Sequence, residues 1–163
     1  MTVGDESDLA RGMDAFRAYR FADAYALLLP FAEAGNSQAS ESVGLLLFSG
    51  AYRFSNMEQF HQSERGGQAL DSAAILSDYK RAAQFLSAAS DAGLGSASFH
   101  LASVYLAGFD DTRWPDRLVR ARELCELAIS RGFTDFPWRT GQAYLGEIRQ
   151  IVDEIQESER DSC

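Results

Sequence analysis

Three segments of the chain place small or apolar residues in the same pattern and end in glycine. In each segment an alanine is followed by such residues seven and eight positions later, and by the glycine at eleven. The segments run from Ala24 to Gly35, from Ala82 to Gly93 and from Ala121 to Gly132. Eleven residues make about three helical turns, so these positions share one face of a helix. The closing glycine predicts a left-handed residue directly after each helix.

A second pattern follows the first two of those glycines. Ala39 precedes Gly50 by eleven residues, and Ala97 precedes Gly108 by the same distance. Small or apolar residues stand at the same four positions of both intervals: Val43, Gly44, Leu46 and Leu47, and Leu101, Ala102, Val104 and Tyr105. A small residue at the second of these positions predicts the close approach of a neighbouring helix. Two helix types therefore alternate, and stacking the pairs buries their apolar faces.

The residues from Ala97 to Gly108, read as Ala-x3-Leu-Ala-x-Val-Tyr-x2-Gly, resemble the first helix of a Sel1-like repeat. The segment 78–93 is similar to its second helix, and 116–132 repeats that helix with one extra residue. The N-terminal pair fits the related tetratricopeptide repeat better, at Gly12, Ala24, Leu28 and Phe31. The resemblance covers residues 8–150. It implies an all-α fold, an α-solenoid of about three and a half antiparallel helix hairpins with a C-terminal capping helix.

A single repeat domain is expected over residues 1–163. Its hairpins are predicted at about 6–35, 37–93 and 95–132, and a final helix at about 141–159. In the final helix Leu145-Gly146 matches Val43-Gly44, so this helix opens a fourth repeat. Its charged second half, from Asp153 onward, is typical of the polar cap that a stacked repeat needs at its end.

The second hairpin departs from the family pattern through an inserted loop at 51–77. Gly50 and Ala82 enclose 31 residues, whereas Gly108 and Ala121 enclose 12. A loop of this length in a compact domain is usually functional or disordered. The side chains considered for partner binding in it are Tyr52, Arg53, Phe54, Met57, Phe60 and His61. Two interpretations stand side by side: these residues anchor a partner, or they pack back onto the repeats as an extra short helix.

The charge of the chain bears on the class of partner. The formal net charge is −9, and an acidic surface repels phosphate backbones, which argues against nucleic acid. Such a surface attracts basic proteins, although solubility alone also explains it. The N-terminus lacks the basic start and apolar core of a signal peptide, and no apolar run approaches the roughly 20 residues of a membrane span. We therefore expect a cytoplasmic protein without a membrane partner.

Residues able to do chemistry are few and scattered. The two histidines, His61 and His100, fall in different predicted elements, and no His or Cys pair has metal-ligand spacing. Cys125 stands among apolar residues, where a buried thiol is the ordinary explanation. No metal, cofactor or catalytic residue is predicted. Paired acids of the glycosidase kind stay open, so an enzyme built on the helical repeats remains the less favoured alternative.

The resemblance implies that the first helix of each pair lines a concave groove. By repeat register the groove residues are Met13, Arg17, Ser42, Leu45, Ser49, His100, Ser103, Tyr144 and Glu147, with Ala10 and Ala107 beside them. Such a surface suits a helix or an extended segment of a partner. The predicted function is a non-enzymatic protein-interaction module, in its most specific form an acidic immunity or inhibitor protein for a basic, toxin-like partner. An adaptor or regulatory scaffold is the alternative, and the oligomeric state stays open.

Overall fold

Glycine residues end the helices at the positions that the sequence pattern marks. Gly35, Gly93 and Gly132 have φ angles of 91°, 104° and 86°, which confirms the predicted left-handed residue after each helix. The residue after each glycine donates its backbone N–H to the carbonyl five positions earlier, at Phe31, Ala89 and Ala128. This capping geometry is the same three times, so three helices have equivalent ends.

Apart from one short pair of strands, the described fold is helical, as the spacing of apolar residues and the closing glycines predict. The structure is a computed structural model that describes residues 5–65, 71–136 and 139–162. The helices of this part are α1 (Glu6–Arg17), α2 (Phe21–Glu33), α3 (Ser37–Ser49), α4 (Met57–Arg65), α5 (Ser72–Asp91), α6 (Gly95–Ala107), α7 (Trp114–Ser130) and α8 (Gly141–Asp161). A 3-10 turn, Ala51–Arg53, follows α3. Two short antiparallel strands, β1 (Asp135–Phe136) and β2 (Arg139–Thr140), pair between α7 and α8.

Apart from α4, each helix packs mainly on the helices next to it in the sequence. The most extensive contacts join α3 with α5 and α6 with α7, followed by α1 with α2. Glycines allow two of these approaches, because a Cβ on Gly44 would lie 2.6 Å from Leu86 Cγ and one on Gly12 would lie 2.7 Å from Leu28 Cδ2. The small residues therefore stand where helices meet most closely.

The core runs between the helices as one apolar cluster from Ala15 to Val152. Its fully buried members include Leu28, Leu46, Leu86 and Leu118, all contributed by the inward faces of amphipathic helices. Two serine side chains are buried with them, and the exposed Arg131 completes a polar network around them. The hydroxyls of Ser90 and Ser98 lie 2.7 Å apart, and Arg131 donates to Ser98 at 3.1 Å. This network ties α5 and α6 to the end of α7.

Candidate functional site

Helices α1, α3, α6 and α8 are linked in series by side-chain contacts. The Ser42 hydroxyl of α3 lies 3.8 Å from the Met13 sulfur of α1, and Glu41 Oε1 of α3 lies 3.9 Å from His100 Nε2 of α6. The rings of Phe99 on α6 and Tyr144 on α8 are 6.1 Å apart between centroids, in an edge-to-face arrangement. We call the surface of these four helices that carries the predicted groove residues the first-helix face. Those residues are Met13, Arg17, Ser42, Leu45, Ser49, His100, Ser103, Tyr144 and Glu147.

The groove residues differ in how far they reach solvent. Arg17, Ser49 and Glu147 are exposed, whereas Met13, Leu45, His100, Ser103 and Tyr144 are half-buried. Ser42 is only 4% exposed, so it lies beneath the face and supports it. Two exposed residues already have local partners: Arg17 pairs with Asp14 at 3.1 Å, and Ser49 donates to the Leu45 carbonyl at 2.9 Å. The face presents apolar patches between short polar side chains.

His100 lies among aromatic rings and a carboxylate near the middle of the first-helix face. Its ring centroid is 5.4 Å from that of Phe99 and 6.4 Å from that of Phe133. Glu41 Oε1 of α3 is 3.9 Å from His100 Nε2, beyond hydrogen-bond length. Burial lowers the pKa of His100 to about 4. The imidazole is therefore neutral at neutral pH and adds no positive charge to the face.

The start of the insertion is anchored on a buried carboxylate. Asp78 of α5 is 6% exposed, and the Tyr52 hydroxyl donates to its two oxygens at 3.0 and 3.1 Å. Arg53 forms an ion pair with the same carboxylate, and its guanidinium lies 4.8 Å from the Tyr52 ring centroid. The Tyr52 ring packs 4.8 Å from that of Tyr25 on α2. Burial, together with the hydrogen bond to Asp78, raises the pKa of Tyr52. Tyr52 and Arg53 therefore point inward, toward α5 and α2.

Residues 57–65 of the insertion form α4, the short helix that one of the two interpretations anticipates. The predicted loop is too long at its end, because residues 72–77 already belong to α5. Residues 66–70 lie outside the described part of the chain.

The Phe60 ring lies 5.7 Å from Phe54 and 6.1 Å from Phe21 of α2. Met57 is half-buried against the core. His61 is exposed beside Phe60, with ring centroids 5.8 Å apart. Phe54 and Phe60 therefore form one aromatic cluster with Phe21 of α2.

Two open clefts lie elsewhere on the surface. The larger, of about 470 Å³, runs between α1 and α2, and the Arg20–Asp23 ion pair at 3.6 Å lies on its edge. The second, of about 380 Å³, is lined by residues that include Tyr105, Phe109 and Lys80. Both open widely to solvent, an arrangement more typical of a surface contact than of an enclosed small-molecule site.

No cluster of three or more His, Cys, Asp or Glu residues in the described part of the chain has the geometry to hold a metal ion. Burial raises the pKa of the Cys125 thiol to about 12, so this sulfur is protonated at neutral pH. Among the described helices, none combines the length and the apolar character that crossing a membrane would require.

Sequence reasoning missed two residues that the structure brings forward. Asp78 stands four residues before Ala82, and so on the apolar stripe of α5; a lone carboxylate on such a stripe signals a buried ion pair. Ile151 of α8 is 42% exposed, and it falls outside the stripe of Leu145, Ile148 and Val152 that packs inward. In both cases the position of the residue relative to the apolar stripe of its helix indicates whether it is buried.

Comparison with known proteins gives no relative: no family model, no curated protein and no solved structure matches this chain. The resemblance to Sel1-like repeats accordingly stays a prediction from the residues.

Proposed function

We propose that the chain is an α-solenoid and acts as a protein-interaction module. Three helix pairs, α1 with α2, α3 with α5 and α6 with α7, supply the hairpins, and α8 supplies the cap. The identical glycine ends of α2, α5 and α7 support this division, because repeats of one kind end alike. In this arrangement α4 is an insertion between the two helices of the second pair.

The first-helix face carries this proposal. Four helices from different parts of the chain contribute to it, and its half-buried Met13, Leu45 and Tyr144 offer apolar surface between short polar residues. A surface of this composition suits a helix or extended segment that buries a few apolar anchors. The aromatic residues of the insertion are turned toward α2 and α5.

The partner class follows from charge. At a net charge of −9, long-range attraction speeds encounter with a basic protein and slows encounter with an acidic one. The most specific form of the proposal is an acidic inhibitor or immunity protein that covers the active surface of a basic, toxin-like partner. An adaptor role shares the same binding surface and differs in what happens to the partner once it is bound.

Affinity capture with matched variants tests the proposal. The tagged chain is expressed in the cells that produce it naturally, in wild-type form and with Ser49→Arg or Ala107→Arg on the first-helix face. Ser130→Arg and Ala88→Arg are the controls, since they add the same charge at exposed Ser and Ala positions on α7 and α5. We expect a stoichiometric partner that the controls retain and the face variants lose. Absence of a stoichiometric partner, or equal loss in all four variants, contradicts the proposal.

A second measurement separates inhibitor from adaptor. Adding the purified chain to the captured partner is expected to abolish the partner's activity at one equivalent. An unchanged activity contradicts the inhibitor form and leaves the adaptor form. The association rate is expected to fall as salt rises from about 50 to 500 mM, because ions screen the attraction; a salt-independent rate contradicts the electrostatic part.

A further inference from the structure

The turn between α1 and α2 holds the one non-glycine residue with a positive φ in the described part of the chain. Tyr19 has a φ of 57°, whereas the other left-handed residues there are glycines, such as Gly35 and Gly50. Arg20 donates its backbone N–H to the Ala15 carbonyl five positions earlier, the same hydrogen bond that follows Gly35. A Cβ crowds the next carbonyl in this conformation, so the backbone favours glycine here. Tyr19 therefore occupies a position that strains it.

The Tyr19 side chain lies mostly in solvent. It is 55% exposed, more than Trp114 or any other large apolar residue in the described ranges. Its ring meets that of Phe21 edge to face, at 6.1 Å between centroids. A strained residue that stays on the surface is a candidate for a functional contact. Tyrosine is also one of the residue types that most often anchor protein interfaces.

The larger open cleft, of about 470 Å³, lies next to this tyrosine. It is lined by Arg11, Asp14, Arg20, Asp23, Ala26 and Leu27. Two arginines and two aspartates make this lining neutral, in a chain with a net charge of −9. Each of these four side chains forms an ion pair with a residue three positions away in the chain. Such exposed pairs are weak, so they can exchange partners when another surface arrives.

We infer that a second copy of this chain binds at the α1–α2 hairpin, in a symmetric dimer in which Tyr19 of each copy enters the cleft of the other. A two-fold interface needs both halves of its contact on one surface. This hairpin has an exposed aromatic anchor and a cleft of the size that holds small-molecule ligands, which is large enough for one ring. Ala26 and Leu27 offer apolar contact to that ring.

The balance of charge selects this occupant. A basic partner meets Arg11 and Arg20, and an acidic partner meets Asp14 and Asp23, whereas a second copy can match each cation with an anion. Two chains of net charge −9 repel each other, and the repulsion is least where the surface is locally neutral. The inference goes beyond the proposed binding of a basic protein and does not depend on it.

Sedimentation equilibrium of the purified chain tests the dimer from about 1 to 500 μM, a range that covers weak association. The wild type is expected to pass from monomer to dimer. Tyr19→Gly is expected to weaken the dimer by tenfold or more, because it removes the anchor. Trp114→Gly is the matched control and should leave the dimer intact, since Trp114 is an exposed aromatic residue on α7, 45% exposed.

Thermal unfolding shows whether Tyr19 serves the fold instead. In dilute solution, where the chain is monomeric, Tyr19→Gly is expected to raise the Tm by about 2 °C, because glycine relieves the left-handed strain. A lowered Tm means that the ring stabilises the monomer, and it overturns the inference. A folded variant with a raised Tm and a weakened dimer separates binding from stability.

Charge-segregated variants test the self-complementarity of the cleft. Arg11→Glu with Arg20→Glu leaves only acidic charges in the lining, and Asp14→Arg with Asp23→Arg leaves only basic ones. Each double variant is expected to be monomeric alone, and their equimolar mixture to form dimers. Each substitution changes the net charge of −9 by two, so both double variants stay acidic and net charge does not draw them together.

A double variant on α8 is the control for added negative charge. Arg149→Glu with Arg160→Glu changes two exposed arginines far along the chain and should leave the dimer intact. A wild type that stays monomeric throughout overturns the inference, as does a monomeric mixture of the segregated variants. Equal weakening by Tyr19→Gly and Trp114→Gly, or loss of the dimer in the α8 control, does so too. These measurements use the chain alone, so their outcome is separate from that of the cellular capture.

Discussion

The close approach of α3 and α5 at Gly44 gives a sharp test of the helix packing. A Cβ added at Gly44 would lie 2.6 Å from Leu86 Cγ and 3.4 Å from the Ala82 carbonyl oxygen. The sequence pattern predicts that Gly146 of α8 matches Gly44, yet a Cβ at Gly146 meets no described atom within 4 Å. The variants Gly44→Ala and Gly146→Ala therefore make the same chemical change in opposite surroundings.

The expected stabilities follow from two terms. Replacing a mid-helix glycine by alanine favours the helix by about 1 kcal/mol, because it restricts the unfolded chain. This term acts in both variants, so Gly146→Ala should stabilise the protein by roughly 0.5–1 kcal/mol. At Gly44 the added methyl overpacks the interface, at a cost of about 1–3 kcal/mol. Gly44→Ala should therefore be less stable than Gly146→Ala by about 1–3 kcal/mol.

Urea unfolding followed by circular dichroism measures this difference. The midpoints of the two variants are compared at a common slope, since an unchanged slope means that the surface exposed on unfolding is unchanged. In thermal unfolding the separation is roughly 2–4 °C per kcal/mol for a chain of this size. If Gly44→Ala is as stable as Gly146→Ala, the α3–α5 approach and the repeat register that explains it are both refuted.

Three further changes probe the buried polar groups. Asp78→Ala should lower the free energy of unfolding in urea by about 3 kcal/mol, because it leaves Arg53 and the Tyr52 hydroxyl without their shared partner. Asp153→Ala, at an exposed position, should change the free energy of unfolding by no more than about 0.5 kcal/mol. The pKa of His100 is about 4 in the folded protein, below its ordinary value of 6.5. As the pH is lowered, the unfolded chain binds the proton first, so the folded protein becomes less stable. The loss should reach up to about 2 kcal/mol between pH 6.5 and 5. The pKa of the Cys125 thiol is raised from 9.0 to about 12, so stability should fall above pH 9, by up to about 1.4 kcal/mol per pH unit.

The pH effects are assigned by comparing slopes with those of neutral variants. His100→Gln should unfold with a shallower dependence of stability on pH between 6.5 and 5, and Cys125→Ala should do so between pH 8 and 10. Measuring no higher than pH 10 limits the contribution of Tyr52, whose raised pKa acts in the same direction. Slopes identical to those of the wild type would mean that these two groups are not buried as described.

The conformation of the aromatic insertion could not be predicted from the sequence. Its composition permits both an exposed anchor and a packed helix, and the sequence alone leaves the two interpretations open. The outcome depends on Asp78, 26 residues after Tyr52, and on Phe21, which precedes Phe60 by 39 positions. Contacts at such separations depend on which helices lie side by side, and the helical period carries no information on that.

The groove prediction shows the same limit within single helices. Register places Ser42 and Ser49 on one side of α3, seven residues apart. The structure buries Ser42 beneath Met13 of the neighbouring helix, whereas Ser49 stays exposed near the helix end. The repeat register determines on which side of its helix a residue lies. Whether that residue is exposed depends on the neighbouring helix that packs against that side.

The sequence by itself determined the all-α class, the glycine ends of the helices and the position of the terminal helix. These features are local: an apolar period of 3.6 residues and a glycine with positive φ act within a few turns of chain. The sequence also predicted the close approach at Gly44. Only the tertiary structure decided that Gly146 is open, that Tyr52 and Arg53 share a buried carboxylate, and that Ile151 faces solvent. The physical reason is that burial is a property of neighbours, and neighbours across a helix interface are distant in the chain.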